Sequence, residues 1–287
     1  MSIQSPQDVT LAVQAVMQQT SDSRLREIMT SLVKHLHGFV TEVKLTEAEF
    51  RQATSLINEI GQMSNDSHNE AVLMAGSLGI SQLVCLLNNG GMADGETTQN
   101  LLGPFWRMHS PVTENGGTIV RSATSGVALR VEGQVVDAHG QPVVGAEVDI
   151  WHASPIGLYE QQDETQAEMN LRGKFKTDAE GRFWFNTVKP TGYPIPTDGV
   201  VGRLLAAQSR HPYRPAHLHA LIFKQGFKTL VSQIYADDDE HLTTDVQFGV
   251  TRATTVHFQP QADGSCLLQY TYVMQAGEAV LPKPPIK

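Results

Sequence analysis

The alternation of apolar and polar positions changes character near residue 100. Before it, apolar residues recur at helical spacing. Val9, Val13, Val16 and Met17 follow Ser5-Pro6-Gln7-Asp8, where Ser5 reads as an N-cap and Pro6 as the first helical residue. Leu25, Ile28, Met29, Leu32, Leu36, Phe39 and Val40 form the clearest amphipathic stripe and predict a second helix. Thr46 to Glu49 has the form of a capping box opening a third. Ala71 to Leu87 predicts a fourth helix, buried, and Asn88-Asn89-Gly90-Gly91 ends the helical part. These stripes serve helix packing first; the exposed part of the first two helices could also pair with a second subunit.

A polar linker, Ala93 to Asn100, follows, and from about Val127 the period becomes two. Val127, Leu129, Val131 and Val135 start a strand run, Asp137-Ala138-His139-Gly140 turns, and Ala146 to Trp151 returns. Asp178-Ala179-Glu180-Gly181 is a second turn, leading into Phe183-Trp184-Phe185. Ala216 to Phe223, Thr229 to Tyr235, Ala253 to Phe258 and Cys266 to Val273 complete the set. Short strands joined by Gly/Asp turns predict a mainly β chain: an antiparallel β-sandwich over 101–287 behind an N-terminal α-helical domain over 1–100. Two long irregular segments, Ser154 to Lys174 and Lys189 to Pro215, interrupt the strands, and loops of that length in a compact domain are usually functional.

Composition narrows the class. Of 287 residues 40% are apolar and 18% charged, which describes a globular chain. The formal charge of -9, with no Lys/Arg cluster, argues against nucleic acid or an anionic membrane as partner. Cys85 and Cys266 form neither a CxxC pair nor a disulfide framework. The start lacks the pattern of a signal peptide, and Ala71 to Leu87 is short for a membrane span, so a cytoplasmic location is expected.

The chemistry begins with His217-Leu218-His219, inside a predicted strand. Side chains at i and i+2 share a face, so both imidazoles can reach one point. Such a pair also arises by chance, and zinc, copper, nickel and iron all accept two imidazoles. Each long loop carries a tyrosine: Tyr159 in Ser154-Pro155-Ile156-Gly157-Leu158-Tyr159, and Tyr193 in Gly192-Tyr193-Pro194-Ile195-Pro196, where two prolines stiffen the backbone. A phenolate is a hard anionic donor that suits iron(III). Either tyrosine taken alone reads equally as a packed ring with its hydroxyl hydrogen-bonded.

Taken together, Gly157-Leu158-Tyr159, Gly192 to Pro196 and Arg214-Pro215-Ala216-His217-Leu218-His219 resemble the intradiol ring-cleavage dioxygenases, the family of catechol, chlorocatechol and hydroxyquinol 1,2-dioxygenases. The resemblance takes in nearly the whole chain, including Leu102-Gly103-Pro104-Phe105, Asp149 to Ala153 and Ser232-Gln233-Ile234-Tyr235. It implies a ferric ion, Fe(3+), held by Tyr159, Tyr193, His217 and His219. It further implies that Tyr193 leaves the metal as a base when the substrate arrives, that Arg214 stabilises negative charge on the ring, and that Gln233 lies beside it. The substrates would be a catecholic ring and O2. The resemblance also implies a homodimer formed through the N-terminal helices, with a phospholipid-like molecule in the tunnel between them.

Phe105, Ile195-Pro196 within the Tyr193 to Gly202 loop, Leu171 to Phe175 and His211 to Arg214 are most similar to the hydroxyquinol branch. This implies cleavage of 1,2,4-trihydroxybenzene to 3-hydroxy-cis,cis-muconate, the tautomer of maleylacetate; catechol or a substituted catechol is the alternative. Substrate contacts are expected from Leu83, Cys85, Leu102, Gly103, Pro104, Phe105, Ile195, Pro196 and Gln247. Cys85 stands where that branch suggests an acid, and Gln247 where it suggests a smaller apolar residue. Two other readings stay open: a non-catalytic transthyretin-like sandwich module, and a zinc or nickel site using the two histidines only.

Overall fold

A computed structural model describes residues 3–65, 68–89 and 97–285. The expected helix stop at Gly90-Gly91 and the linker from Ala93 to Glu96 lie outside the described residues. The chain forms two compact units, Met1–Glu59 and Ile60–Lys287.

In the first unit, α1 (Pro6–Met17) starts as expected: Asp8 N donates to Ser5 Oγ at 3.3 Å and Ser5 N to Asp8 Oδ2 at 2.8 Å. These two bonds satisfy amides that have no partner within the helix. Asp22 caps α2 (Ser23–Glu42), which packs on α1. The α2 stripe is mostly uncovered: Leu25, Ile28, Leu32, Leu36 and Phe39 are each 46–54% exposed. Thr46 and Glu49 form the capping box of α3 (Glu47–Met63), which runs across the boundary between the units.

The expected single buried helix over 71–87 is two. α4 (Glu70–Ser77) and α5 (Ile80–Asn89) are bent by 77° at Leu78-Gly79. Gly79 has φ +73°, a conformation that costs residues with a Cβ, so it ends α4 rather than continuing it. Nor is the segment wholly buried: Val72, Leu83 and Leu87 are 56%, 58% and 76% exposed. Among the described residues no single helix is long and apolar enough to cross a membrane.

The strands are β1 (Ala128–Asp137), β2 (Glu147–Trp151), β3 (Arg172–Lys176), β4 (Arg182–Val188), β5 (Tyr193–Pro194), β6 (Tyr213–Arg214), β7 (His217–Phe223), β8 (Leu230–Ala236), β9 (Thr255–Val256), β10 (Gln259–Pro260) and β11 (Cys266–Met274), with α6 (Val200–Ala207) between β5 and β6. One sheet has the order β10-β11-β1-β4, a second β3-β2-β7-β8-β9, and β5 pairs with β6 alone. Leu129, Val131, Phe183, Phe185, Leu268 and Tyr272 from the first sheet share one core with Val148, Ile150, Phe175, Leu218, Ala220 and Ile234 from the second. Two sheets closing on one core is the layering expected of a sandwich.

Several details differ from expectation. β2 does not return alongside β1; after the Asp137–Gly140 turn the chain crosses to the other sheet. Among the described strands, β1 with β11 and β8 with β9 run parallel rather than antiparallel. The segments read as irregular contain β3, β5, β6 and α6, and the strand expected over 253–258 is reduced to β9 behind a 3-10 turn at Arg252–Thr254.

Candidate metal centre

The parity of β7 builds the site. Leu218, Ala220 and Ile222 enter the core, so His217 and His219 face the opposite side of the sheet. Their Nε2 atoms are 3.2 Å apart and both residues are 2% exposed. The neighbouring strands place Trp151 of β2 on one side of His219 and Gln233 of β8 on the other, while Tyr235 lies opposite His217. Trp151 stacks flat on His219, centroids 4.7 Å apart.

The two tyrosines reach the same place from the loops. Tyr193 on β5 pairs directly with Arg214 on β6. Tyr159 ends a tight turn in which Gly157 adopts φ +81°. A Cβ on Gly157 would lie 2.8 Å from the Cβ of Tyr193, so only glycine lets this loop close on β5. The Tyr159 and Tyr193 hydroxyls are then 3.2 Å apart. Ring contacts close a circuit through Tyr159, Tyr193, His217 and His219, with centroid separations of 5.7, 5.5, 4.8 and 6.4 Å in that order.

Burial governs the protonation of these groups. It raises Tyr159 well above the ordinary phenol range, reinforced by Tyr193 beside it, and raises Tyr193 despite the charge of Arg214. His217 is pushed down to about 3 by burial and then by Arg214, and His219 is held well below the usual range by burial and by His217. His217 Nδ1 lies 2.7 Å from the Pro215 carbonyl, which can only accept, so Nδ1 carries the proton and Nε2 presents a lone pair.

The donor set fits a metal ion. Donors about 2.1 Å from one centre and at right angles to each other sit about 3 Å apart. That is close to the 3.2 Å between the imidazole nitrogens and the 3.2 Å between the phenol oxygens. Among the described residues no third His, Cys, Asp or Glu joins the two imidazoles, so the phenols are the remaining donors.

Arg214, 3% exposed, stands beside this cluster. Its Nε and Nη2 donate to the Asp245 carboxylate at 3.1 and 3.2 Å, Nη2 also to Gln233 Oε1 at 2.9 Å and Tyr235 Oη at 2.8 Å, and Nη1 lies 3.3 Å from His217 Nε2. Burial works against the charge on Arg214, but Asp245, Tyr235 and Tyr193 together outweigh it and hold the guanidinium protonated. Gln233 is fixed at both ends, its Nε2 donating to the Leu101 carbonyl at 2.6 Å and its Oε1 accepting from Arg214 and Tyr235. The amide expected beside a reacting ring thus also orients the guanidinium.

Comparison with known proteins gives the family. Residues 101–276 match the family described as Dioxygenase, and residues 22–94 the one described as Catechol dioxygenase N terminus. The chain belongs to the intradiol dioxygenase family. It is 40% identical over 250 residues to a hydroxyquinol 1,2-dioxygenase of Rhizobium sp. (strain MTP-10005), covering 87% of this chain and 84% of that one. It is 38% identical over 255 residues to a catechol 1,2-dioxygenase of Candida albicans, covering 88% and 84%. The crystal structure of hydroxyquinol 1,2-dioxygenase from Pseudomonas putida DLL-E4 superposes with a TM-score of 0.89 at 34% identity, covering 95% of this chain and 99% of that one.

In this metal-dependent dioxygenase the residues expected to touch substrate are placed unevenly. Leu102 and Phe105 pack with Trp106, Trp151, Tyr159 and Tyr193, and Gly103 faces the His219 ring. Pro104 and Pro196 are exposed. Ile195 is buried with Leu73, Val201, Leu205 and Val246. Leu83, exposed, and Cys85, half-buried, belong to α5. Gln247 lies against α4: a Cβ on Gly76 would lie 3.1–3.3 Å from its carboxamide. Asp245, Tyr235 and Asn100, which donates to the Gly249 carbonyl at 2.6 Å, were not singled out from the sequence. Strand parity with Gln233 could have found Tyr235; nothing local marks the other two.

Proposed function

We infer that this dioxygenase uses Fe(3+) to cleave hydroxyquinol with O2 between its adjacent hydroxylated carbons, giving 3-hydroxy-cis,cis-muconate. The observation that carries the reading is the pairing of two phenols and two imidazoles, each pair at the spacing of neighbouring ligands, beside a buried guanidinium. Tyr159, Tyr193, His217 and His219 would hold the ion, and it would supply the charge and oxidising power that let an electron-rich ring react with O2. Ionised phenols are costly to bury, and a trivalent cation offsets that cost.

The protein's own groups do the rest. Tyr193 Oη, on the less enclosed of the two tyrosines, accepts a proton from a substrate hydroxyl. Arg214, locked by Asp245, Gln233 and Tyr235, presents a fixed positive charge to the anionic ring without reorganising. Phe105, Trp106 and Trp151 wall the tyrosine side against water.

Colour tests the metal. Iron-loaded protein should be wine-red from phenolate-to-iron charge transfer; a folded, iron-loaded, colourless sample would overturn the reading and favour the histidine-only site or a non-catalytic module. A panel of hydroxyquinol, catechol, methylcatechols, chlorocatechols and pyrogallol, read by oxygen uptake and product spectrum, tests the ring, with hydroxyquinol expected to give the highest kcat/KM. The Gln247 carboxamide against Gly76 favours the second reading, a catechol bearing a different substituent, and a higher kcat/KM for such a ring would select it.

The uncovered stripe on α2 supports a homodimer through the N-terminal helices. Sedimentation should give a dimer that Leu32→Glu/Leu36→Glu converts to monomer; a monomeric parent protein would reject it. The family resemblance adds a phospholipid-like molecule between those helices, to be sought by mass spectrometry of lipid extracted from purified protein.

A further inference from the structure

Arg172 on β3 is 1% exposed and lies across from Trp151, which in turn lies across from His219. Each of its nitrogens is committed. Nε donates to Glu160 Oε1 at 2.7 Å, Nη1 to the Phe105 carbonyl at 2.7 Å, and Nη2 to Gln161 Oε1 at 2.9 Å. Three acceptors in the plane of one guanidinium hold it in a single orientation, which an ammonium could not match. All three partners are tied to Tyr159. Glu160 and Gln161 follow it in the chain, and the Phe105 ring packs against the Tyr159 ring at 4.4 Å between centroids. The guanidinium carbon itself stands 5.9 Å from the centre of that ring, within the range of a cation–π contact. Arg107 Nη1 adds a second cation to the same Glu160 oxygen at 3.1 Å. A buried ion pair is weak evidence for stability, because apolar residues of the same volume serve a fold as well. Its place against one ring points to a role at that ring.

We propose that Arg172 is a positioning residue for Tyr159: it fixes the ring between Phe105 and β3 and sets a positive charge against it, stabilising the phenolate that binds the metal. The proposal rests on the reading of Tyr159 as a ferric ligand. A cation nearer to the ring than to the metal lowers the phenolate's electrons more than it lowers the metal's acceptor level, so it raises the charge-transfer energy. Removing it should move the band to longer wavelength.

The test compares visible spectra of iron-loaded protein, normalised to bound iron, for the parent, Arg172→Gln and Arg172→Lys. The expected result is a red shift in Arg172→Gln and a band nearer the parent's in Arg172→Lys, with both variants losing iron to a chelator faster than the parent. Should Arg172→Gln fail to fold because Glu160 is left short of a cation, the same shift is read between Glu160→Gln and Glu160→Gln/Arg172→Gln, where amides replace the ions. A purely structural role would lower iron occupancy or stability and leave the band of the bound iron unmoved; that result overturns the proposal. A parent protein that binds iron without any phenolate band overturns the reading of Tyr159 as ligand instead, so the two failures are distinguishable.

Discussion

Tyr193 and Tyr159 carry the same hydroxyl in different settings: Tyr193 is 7% exposed on a two-residue strand, and Tyr159 is 1% exposed between Phe105 and Arg172. On that difference Tyr193 is the one proposed to act as the base. Tyr193→Phe should lower kcat by roughly 10²- to 10⁴-fold, the usual worth of a positioned proton acceptor, while iron-loaded protein keeps a weaker phenolate band from Tyr159. Complete loss of that band would mean Tyr193 alone is the phenolate. Arg214 and Asp245 are a second residue-scale test. Asp245→Ala leaves a guanidinium buried without its carboxylate and should cost about 3–5 kcal/mol, read from the denaturant midpoint. A loss below about 1 kcal/mol would show that the Gln233 and Tyr235 oxygens suffice. At this scale the sequence is most readable where a local rule applies. His217 and His219 share a face by strand parity alone. Asp245 meets Arg214 from 31 positions away, and no pattern within β6 announces that contact.

Elements were legible in proportion to their length and to how local their stabilisation is. α1 and α3 carry their own capping boxes, so their starts could be read directly. α6 has eight residues and a glycine at its N-cap; its first turn is satisfied instead by Glu70 of α4, whose Oε1 accepts from Val201 N at 2.8 Å. β3 hides its alternation because Arg172, at an inward-packed position, is charged, and Gly173 makes room for Ile119. The break between α4 and α5 rests on one glycine. Gly79→Ala meets only ordinary contact with Phe248 at 3.4 Å, so its cost is the left-handed backbone: about 1–2 kcal/mol of stability, with kcat unchanged. Gly157→Ala differs, because its new Cβ would press on Tyr193 at 2.8 Å. It should lower activity and iron retention together, and retention at the parent's level would show that β5 can yield.

For the molecule as a whole, the layering was readable from the period of two, but the pairing of β1 with β11 was not. Residues such as Val131 and Leu268 are neighbours only because the first and last strands of the sheets are brought side by side in parallel. One consequence of the closed core is a pH dependence. His152 is 1% exposed; its Nδ1 donates to the Ala153 carbonyl at 2.8 Å and its Nε2 accepts from Thr187 Oγ1 at 2.8 Å, so it is folded as the neutral ring. Burial pushes its pKa down to about 4, against about 6.5 in an unfolded chain. The unfolded state therefore takes up a proton first as pH falls. The folded state's advantage is intact above pH 6.5, declines between about 6.5 and 4, and by the lower limit about 3 kcal/mol is gone. Asp245 acts in the same direction at lower pH: burial raises its carboxyl, but Arg214 and the amides of Gln247 and Gly249 together outweigh that and hold it below the usual range. Asp149 opposes both, since burial raises it and protonation relieves the cost. Urea midpoints of metal-free protein should accordingly be flat from pH 8 to about 7 and fall below about 6.5. His152→Gln, which keeps a donor and an acceptor without titrating, should lose part of that fall. An equal slope in parent and variant would place the dependence on His217 and His219 instead, which burial also holds neutral in the folded protein.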